Sequence, residues 1–256
     1  MSRRHGWGWA AATVALVWGL LVGGPAQAVE CRAQVFEDKR YTVCEVAVAR
    51  EPLQLYLRDD EGQPFVHFEV LERWLNARGQ RLRWAMNAGM YHPDLSPVGW
   101  LVTNARGKAE TVTPLHREGG RGNFFLLPNG VFLLSPKGAA VLSTDEAAQW
   151  TQLVTLATQS GPLLVHQGKL HPALLPASTS RLVRNGVGVT DQGAVFFAIS
   201  DDPVNFHEFA RLFRDALQCP NALYFDGNVS SLYDPALPRH DRHAVMGPIL
   251  AVVERP

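Results

Sequence analysis

The feature that most limits what this chain can fold into is a succession of short apolar segments, each cut off by glycine, proline or asparagine. Leu82–Met86, Val98–Thr103, Gly122–Leu127, Val131–Leu134, Leu153–Thr158, Leu163–His166, Val183–Val189 and Ala194–Ser200 follow one another from the second third of the chain onward. An amphipathic helix needs roughly ten residues or more, so segments this short read as strands closed by turns. Strands outnumber helical stretches and do not alternate with them, which argues against a doubly wound sheet. The expected class is α+β, a single domain of β-rich mixed sheets with a few flanking helices. No repeat, low-complexity tract or long linker divides it.

Helical signals are few. Asn205 is placed to cap a helix, with Glu208 reaching back to it, and Phe206, Phe209, Ala210, Phe213 and Leu217 recur on its inner face as far as Cys219-Pro220. Pro64 opens a second pattern through Phe65, Phe68, Leu71 and Leu75 up to Gly79, and Asp145–Trp150 reads as a short third helix. Residues from Cys31 to Leu57 alternate as strands, and Ala222–Phe225 is a buried strand closed by Asp226-Gly227-Asn228.

The first residues resemble a secretory leader. Arg3, Arg4 and His5 precede an apolar run from Trp7 to Val22, followed by Gly23-Gly24-Pro25 and the small-residue triplet Ala26-Gln27-Ala28. Cleavage after Ala28 separates a signal peptide, 1–28, from a domain, 29–256, and leaves no lasting membrane span. The protein is thus expected to be exported, periplasmic or secreted. Lys plus Arg equal Asp plus Glu at 24 each, so no excess of positive charge points to nucleic acid or an anionic membrane surface. Cys31 and Cys44 flank a hairpin and are expected to lie opposite each other as a disulfide, although spacing alone does not fix connectivity. Cys219 reads as a buried thiol. No Cys/His spacing matches a structural zinc site, and the histidines are scattered.

The candidate chemistry lies on polar turns. Asn87-Ala88-Gly89-Met90-Tyr91-His92 follows a strand, and Gly89 lets it turn tightly while Asn87 and Tyr91 project. Gln159-Ser160-Gly161-Pro162 offers neutral hydrogen-bond groups of the kind that bind sugar hydroxyls. Arg184-Asn185-Gly186 sets a guanidinium fork, suited to two-point phosphate binding, beside a flexible residue. In Asp226-Gly227-Asn228-Val229-Ser230-Ser231 an acid stands at the end of a buried strand, and Asp226 is the first choice for a catalytic carboxylate. An ordinary Asp-Gly turn, with the carboxylate bonded to the next amides, is the plain alternative.

Taken together and in order, these segments resemble the phosphodiester glycosidase family, which includes the enzyme that uncovers mannose 6-phosphate. The resemblance runs through the Asn87 turn, Gly122-Asn123-Phe124, Pro128-Asn129-Gly130-Val131, Gln159-Ser160-Gly161-Pro162, Arg184 to Gly188, Ser200 with Asn205, and Asp226-Gly227 with Ser230-Ser231. It is to a bacterial exported branch whose turn reads Asn-Ala-Gly-Met-Tyr. The animal pattern Asp-Gly-Gly-Gly-Ser is here Asp226-Gly227-Asn228-Val229-Ser230, a departure within the sugar pocket.

The resemblance implies a hydrolase that cleaves the glycosidic bond of a sugar-1-phosphodiester or a related envelope glycan. A phosphate monoester leaves without protonation by a strong general acid, so one carboxylate can suffice where ordinary glycosidases use two. Asp226 and Arg184 are then the catalytic candidates. Asn87, Gly89, Tyr91, Gln159, Ser160, Gly161, Asn185, Gly186, Gly227, Ser230 and Ser231 are the substrate-binding ones. No cofactor is implied. Two alternatives remain open: a periplasmic protein that binds a sugar phosphate or glycan without turnover, and a phosphodiesterase holding a divalent cation through Asp226 with Asp94, Asp201 or Asp202. Oligomeric state is not legible.

Overall fold

The computed structural model describes residues 29–49 and 53–255, so the leader expected over residues 1–28 lies outside the described residues. Most of the turn-bounded segments become strands, gathered into one seven-stranded and two five-stranded sheets. The seven-stranded sheet runs, in spatial order, Val29–Phe36, Lys39–Val46, Val195–Ser200, Asn185–Val189, Asn221–Asp226, Leu163–His166 and Lys169–Leu170. One five-stranded sheet runs Arg239–His240, Leu232–Asp234, Arg81–Asn87, Ile249–Glu254 and Leu53–Tyr56. The other runs Glu110–Thr113, Leu101–Thr103, Leu156–Ser160, Gly130–Ser135 and Gly138–Ser143. Every ladder between these strands is antiparallel, so the sheets are not mixed in strand direction while the α+β class stands. Parallel neighbours need long crossovers, usually helical, and this chain has few helices to supply them.

Strand alternation sends one face of each sheet into a shared interior. Val187, Phe197, Ile199, Leu223 and Phe225 meet Trp84, Met86, Leu250 and Val252 of one five-stranded sheet, and Leu101, Phe132 and Leu156 of the other. Fully burying a side chain of this size contributes roughly 1.5–3 kcal/mol, so this common core is the main bond between the sheets. The outward faces are covered separately. Phe209, Leu212 and Phe213, on helix Phe206–Arg211 and its continuation Leu212–Ala216, pack on Val43, Ala198, Ala222 and Tyr224. Helix Phe68–Asn76 sets Phe68, Leu71 and Leu75 on Ala85, Ile249 and Ala251. Gly188 lets the first of these helices approach its sheet, for a Cβ there would come 2.6 Å from Phe213 and 2.8 Å from Cys219 Sγ.

The capping expected at Asn205 is present in both directions: its Oδ1 accepts from Glu208 N, and Glu208 Oε2 accepts from Asn205 N, each at 2.9 Å. Beyond Arg211 the helix widens, and Leu217 N bonds to Leu212 O, five residues back. The helix expected from Pro64 starts only at Phe68, because Pro64 is bridged to Arg58 and Phe65 N to Leu57 O in extended backbone. Gly122–Leu127 is not a strand. Asn123–Phe125 form a 3-10 turn whose aromatic rings fold onto His116. Ile249–Glu254, absent from the sequence reading, pairs on both sides within its sheet. Cys31 and Cys44 stand directly opposite in their ladder and form the expected disulfide, while Cys219 is a buried thiol.

Candidate active site

Strand ends from all three sheets meet at one place. Asn87 ends Arg81–Asn87, Ser160 ends Leu156–Ser160, Asn185 opens Asn185–Val189 and Asp226 ends Asn221–Asp226. Asn185 Nδ2 donates to the backbone oxygen and to Oδ1 of Asn87, at 3.0 Å each. Asn87 Oδ1 also accepts from Ser231 N at 2.8 Å, and the Ser160 hydroxyl reaches Phe225 O at 3.2 Å. The Ser230 hydroxyl lies 2.9 Å from both Asp226 O and Val183 O and 3.3 Å from Asn185 Oδ1. A bulge in the pairing of Asn185–Val189 with Asn221–Asp226 leaves Phe225 unpaired directly before Asp226.

Asp226 does what an Asp-Gly turn does and leaves an oxygen over. Its Oδ1 accepts from the amides of Gly227, Asn228 and Val229 at 2.6, 2.6 and 3.0 Å. These three bonds fix the carboxylate, and Oδ2 has no hydrogen-bond partner among the described residues. Tyr91 stands near enough to feel this charge. Burial first, and Asp226 second, push its phenol up to about 12, and its hydroxyl donates to Val245 O at 2.5 Å.

Arg184 is fully buried, close to Gly227. A Cβ on Gly227 would come 2.5 Å from Tyr224 Oη and 3.3 Å from Arg184 Nη1. The guanidinium donates from Nε to Val204 O at 2.9 Å, from Nη1 to Tyr224 Oη at 3.2 Å, and from Nη2 to Ser180 O and Oγ at 3.0 and 3.3 Å. Its central carbon lies over the Phe206 ring, 3.8 Å from the ring centre. All these partners are neutral. Burial lowers the Arg184 pKa, and Tyr224 and the Asp226 charge oppose that shift. A desolvated cation bonded only to neutral oxygens is costly, and it favours an anion brought nearby.

The remaining predicted residues divide. Asn87 is 1% exposed, yet its Nδ2 has no partner among the described residues, while its Oδ1 is held by two donors so that the amide cannot be turned round. Gly89 has φ +73, and a Cβ there would come 2.5 Å from Thr158 Oγ1, which joins the Asn87 turn to Leu156–Ser160. Gly161 packs against Asn123 O, Phe124 O and Asn129, and Gly186 against Leu223 O, so both serve close backbone approach. Gln159 faces inward. Its Oε1 accepts from Trp100 N and His116 N, and its Nε2 donates to His116 O and Thr144 Oγ1, which uses its carboxamide to pin loops.

Tyr224, Phe206, Ser180 and Ser200, which surround Arg184, carried no assigned site role in the sequence, although Ser200 belongs to a family-like segment and Phe206 to a helix face. Strand position was the available signal for Tyr224, two residues before Asp226. Two clefts of about 370 and 330 Å3 lie elsewhere, one beside Arg58, Asp60 and Arg106, the other beside His116, Asn129 and Thr144. Among the described residues no three His, Cys, Asp or Glu side chains group as a metal set. Asp201 and Asp202 are paired with Arg239 and Arg40, and Asp94 is bonded to Ser96. No helix among the described residues is long and apolar enough to cross a membrane.

A fixed carboxylate, a buried guanidinium and a buried amide donor with no partner among the described residues thus lie where strand ends of the three sheets converge. Residues 80–240 match the family model for phosphodiester glycosidase. The chain is also 31% identical over 183 residues to the uncharacterized protein YigE of Escherichia coli (strain K12), covering 72% of this chain and 70% of that one. It belongs to the phosphodiester glycosidase family. Among solved structures, the catalytic domain of zebrafish N-acetylglucosamine-1-phosphodiester alpha-N-acetylglucosaminidase, auto-inhibited by its pro-peptide, superposes with a TM-score of 0.60 at 14% identity, over 89% of this chain and 82% of that chain. A hypothetical protein from Synechocystis follows with a TM-score of 0.51 at 15% identity, over 88% and 61%. At such identities the likeness is one of fold.

Proposed function

We propose that the protein hydrolyses the bond between the anomeric carbon and the phosphate of a sugar-1-phosphodiester, or of a related envelope glycan, outside the cytoplasm. The observation that carries this reading is that one turn meets both groups: Gly227 N donates to Asp226 Oδ1, and a Cβ on Gly227 would come 3.3 Å from Arg184 Nη1. In the proposed reaction the C1–O bond breaks, its electron pair leaves with the phosphate monoester, and water supplies hydroxyl to C1 and a proton to solvent. Asp226 Oδ2 serves as base, nucleophile or stabiliser of positive charge at C1. The Arg184 charge, acting from beneath the turn, stabilises the phosphate as negative charge accumulates there. Asn87 Nδ2, buried and without a partner among the described residues, is a donor for a sugar or phosphate oxygen. Asn185, Ser230 and Ser231 hold that donor and the turn in place.

Family membership supports the reaction class, and the name of the zebrafish enzyme makes N-acetylglucosamine 1-phosphodiesters the first substrates to try. The leader-like residues and the Cys31–Cys44 disulfide support an oxidising location such as the periplasm. The test offers the purified protein a panel of glycosyl phosphodiesters and identifies both products. Free sugar with a phosphate monoester, lost by at least about a hundredfold in Asp226→Asn, is the expected result. Release of sugar phosphate would mean a phosphodiesterase, and tight binding with no product over long incubation would mean a binding protein.

A further inference from the structure

We propose that Tyr224 is a positioning residue for this centre: its hydroxyl holds the Arg184 guanidinium beneath the Asp226-Gly227 turn, so that Arg184 and Tyr224 act as one unit. The proposal rests on the hydrolase reading above. It begins from a cost. Tyr224 is 1% exposed, and burying a hydroxyl is unfavourable unless it is hydrogen-bonded. For packing alone, phenylalanine would fill the same space against Phe206, whose ring meets Tyr224 edge-on at 4.6 Å.

The hydroxyl instead accepts from Arg184 Nη1 at 3.2 Å. The other acceptors of Arg184, Val204 O and the oxygens of Ser180, belong to loops. Tyr224 alone among these partners lies on the strand that ends in Asp226, two positions away. It therefore ties the guanidinium to the backbone that carries the carboxylate. The same hydroxyl meets Gly227 so closely that no side chain fits between them, which passes the constraint to the turn itself. Substrate does not reach this buried contact, so Tyr224 acts through Arg184 and the turn.

The test uses Tyr224→Phe, Arg184→Lys and the double variant of the full protein. It measures kcat and KM on a glycosyl phosphodiester, affinity for inorganic phosphate by calorimetry, and the unfolding midpoint. Loss of a hydrogen bond to a charged group predicts that Tyr224→Phe lowers kcat by about ten- to a hundredfold. KM should change little, because negative charge builds on phosphate only as it departs, while affinity for the phosphate dianion should fall by a similar factor. The double variant should be no worse than the poorer single one. Unchanged kcat and phosphate affinity in Tyr224→Phe, or losses that multiply in the double variant, would overturn the proposal. If Tyr224→Phe does not fold, Gly227→Ala displaces the same hydroxyl, since its methyl would come 2.5 Å from it, and unaltered readings there overturn the proposal equally. A wild type that binds phosphate without turnover ends the hydrolase reading alone, with Tyr224 then judged on affinity. One that does neither ends both.

Discussion

Asn185 Nδ2 bonds both oxygens of Asn87, at 3.0 Å each, and so ties the seven-stranded sheet to a five-stranded one at the edge of the site. Asn185→Leu would leave Asn87 with a buried carbonyl unmatched, at a cost of about 1–3 kcal/mol. Its unfolding midpoint in urea should drop accordingly, and activity should fall further than stability, since Asn87 Nδ2 loses its aim.

Gly227→Ala places a methyl 2.5 Å from Tyr224 Oη and 3.3 Å from Arg184 Nη1. Overpacking of this kind costs about 1–3 kcal/mol. Removing the hydroxyl makes room, so Gly227→Ala combined with Tyr224→Phe should unfold at higher denaturant than Gly227→Ala alone. A cycle of the three variants by circular dichroism checks this.

Arg184→Lys offers three donors on one nitrogen in place of a fork that reaches Val204, Tyr224 and Ser180 at once. At least one acceptor is left unmet, at about 1–3 kcal/mol. Turnover should fall together with the urea midpoint, whereas Arg181→Lys, at a half-exposed ion pair with Glu208, should alter either only slightly.

The Cys31–Cys44 disulfide closes a loop with a sequence separation of 13. Loop-closure entropy for that length is worth about 3 kcal/mol, so reductant should lower the denaturation midpoint by a corresponding amount. Because the hairpin lies at a sheet edge, activity under native conditions should survive reduction.

His171 is buried, and burial lowers its pKa from 6.5, while its Nδ1 accepts from Ala173 N. The folded state thus takes up its proton at lower pH than the unfolded chain. This group's contribution is whole above about pH 6.5 and is lost as pH falls toward and through the folded value. Urea midpoints should decline below that pH in the wild type and less steeply in His171→Asn, whose amide oxygen still accepts from Ala173.

Much of the fold was legible because its signals are local. Turn residues bounded the strands, and Asn205 with Glu208 announced a helix start that the structure reproduces. The strand Ile249–Glu254 was passed over because a continuous apolar run buried on both faces lacks alternation. Gly122–Leu127 looked like a strand by composition, but its two phenylalanines are drawn to His116 instead. At the site, the family likeness marked the segments that converge. It said nothing of which side chains face inward, and so Gln159 was grouped with the sugar binders although its carboxamide is spent on Trp100, His116 and Thr144. Tyr224 is given no site role for the opposite reason, since a tyrosine in an apolar strand looks like core.

The ring of Phe206 lying across Arg184 has an outcome for the habitat of such a protein. Dissolved ions screen charges on a surface within about 8–10 Å, whereas a cation sealed under an aromatic lid is screened much less. Exported as proposed above, the protein would meet brine, dilute water and everything between. Its pull on an anion should therefore hold nearly constant across those media, where a patch of surface lysines would lose its grip as salinity rose.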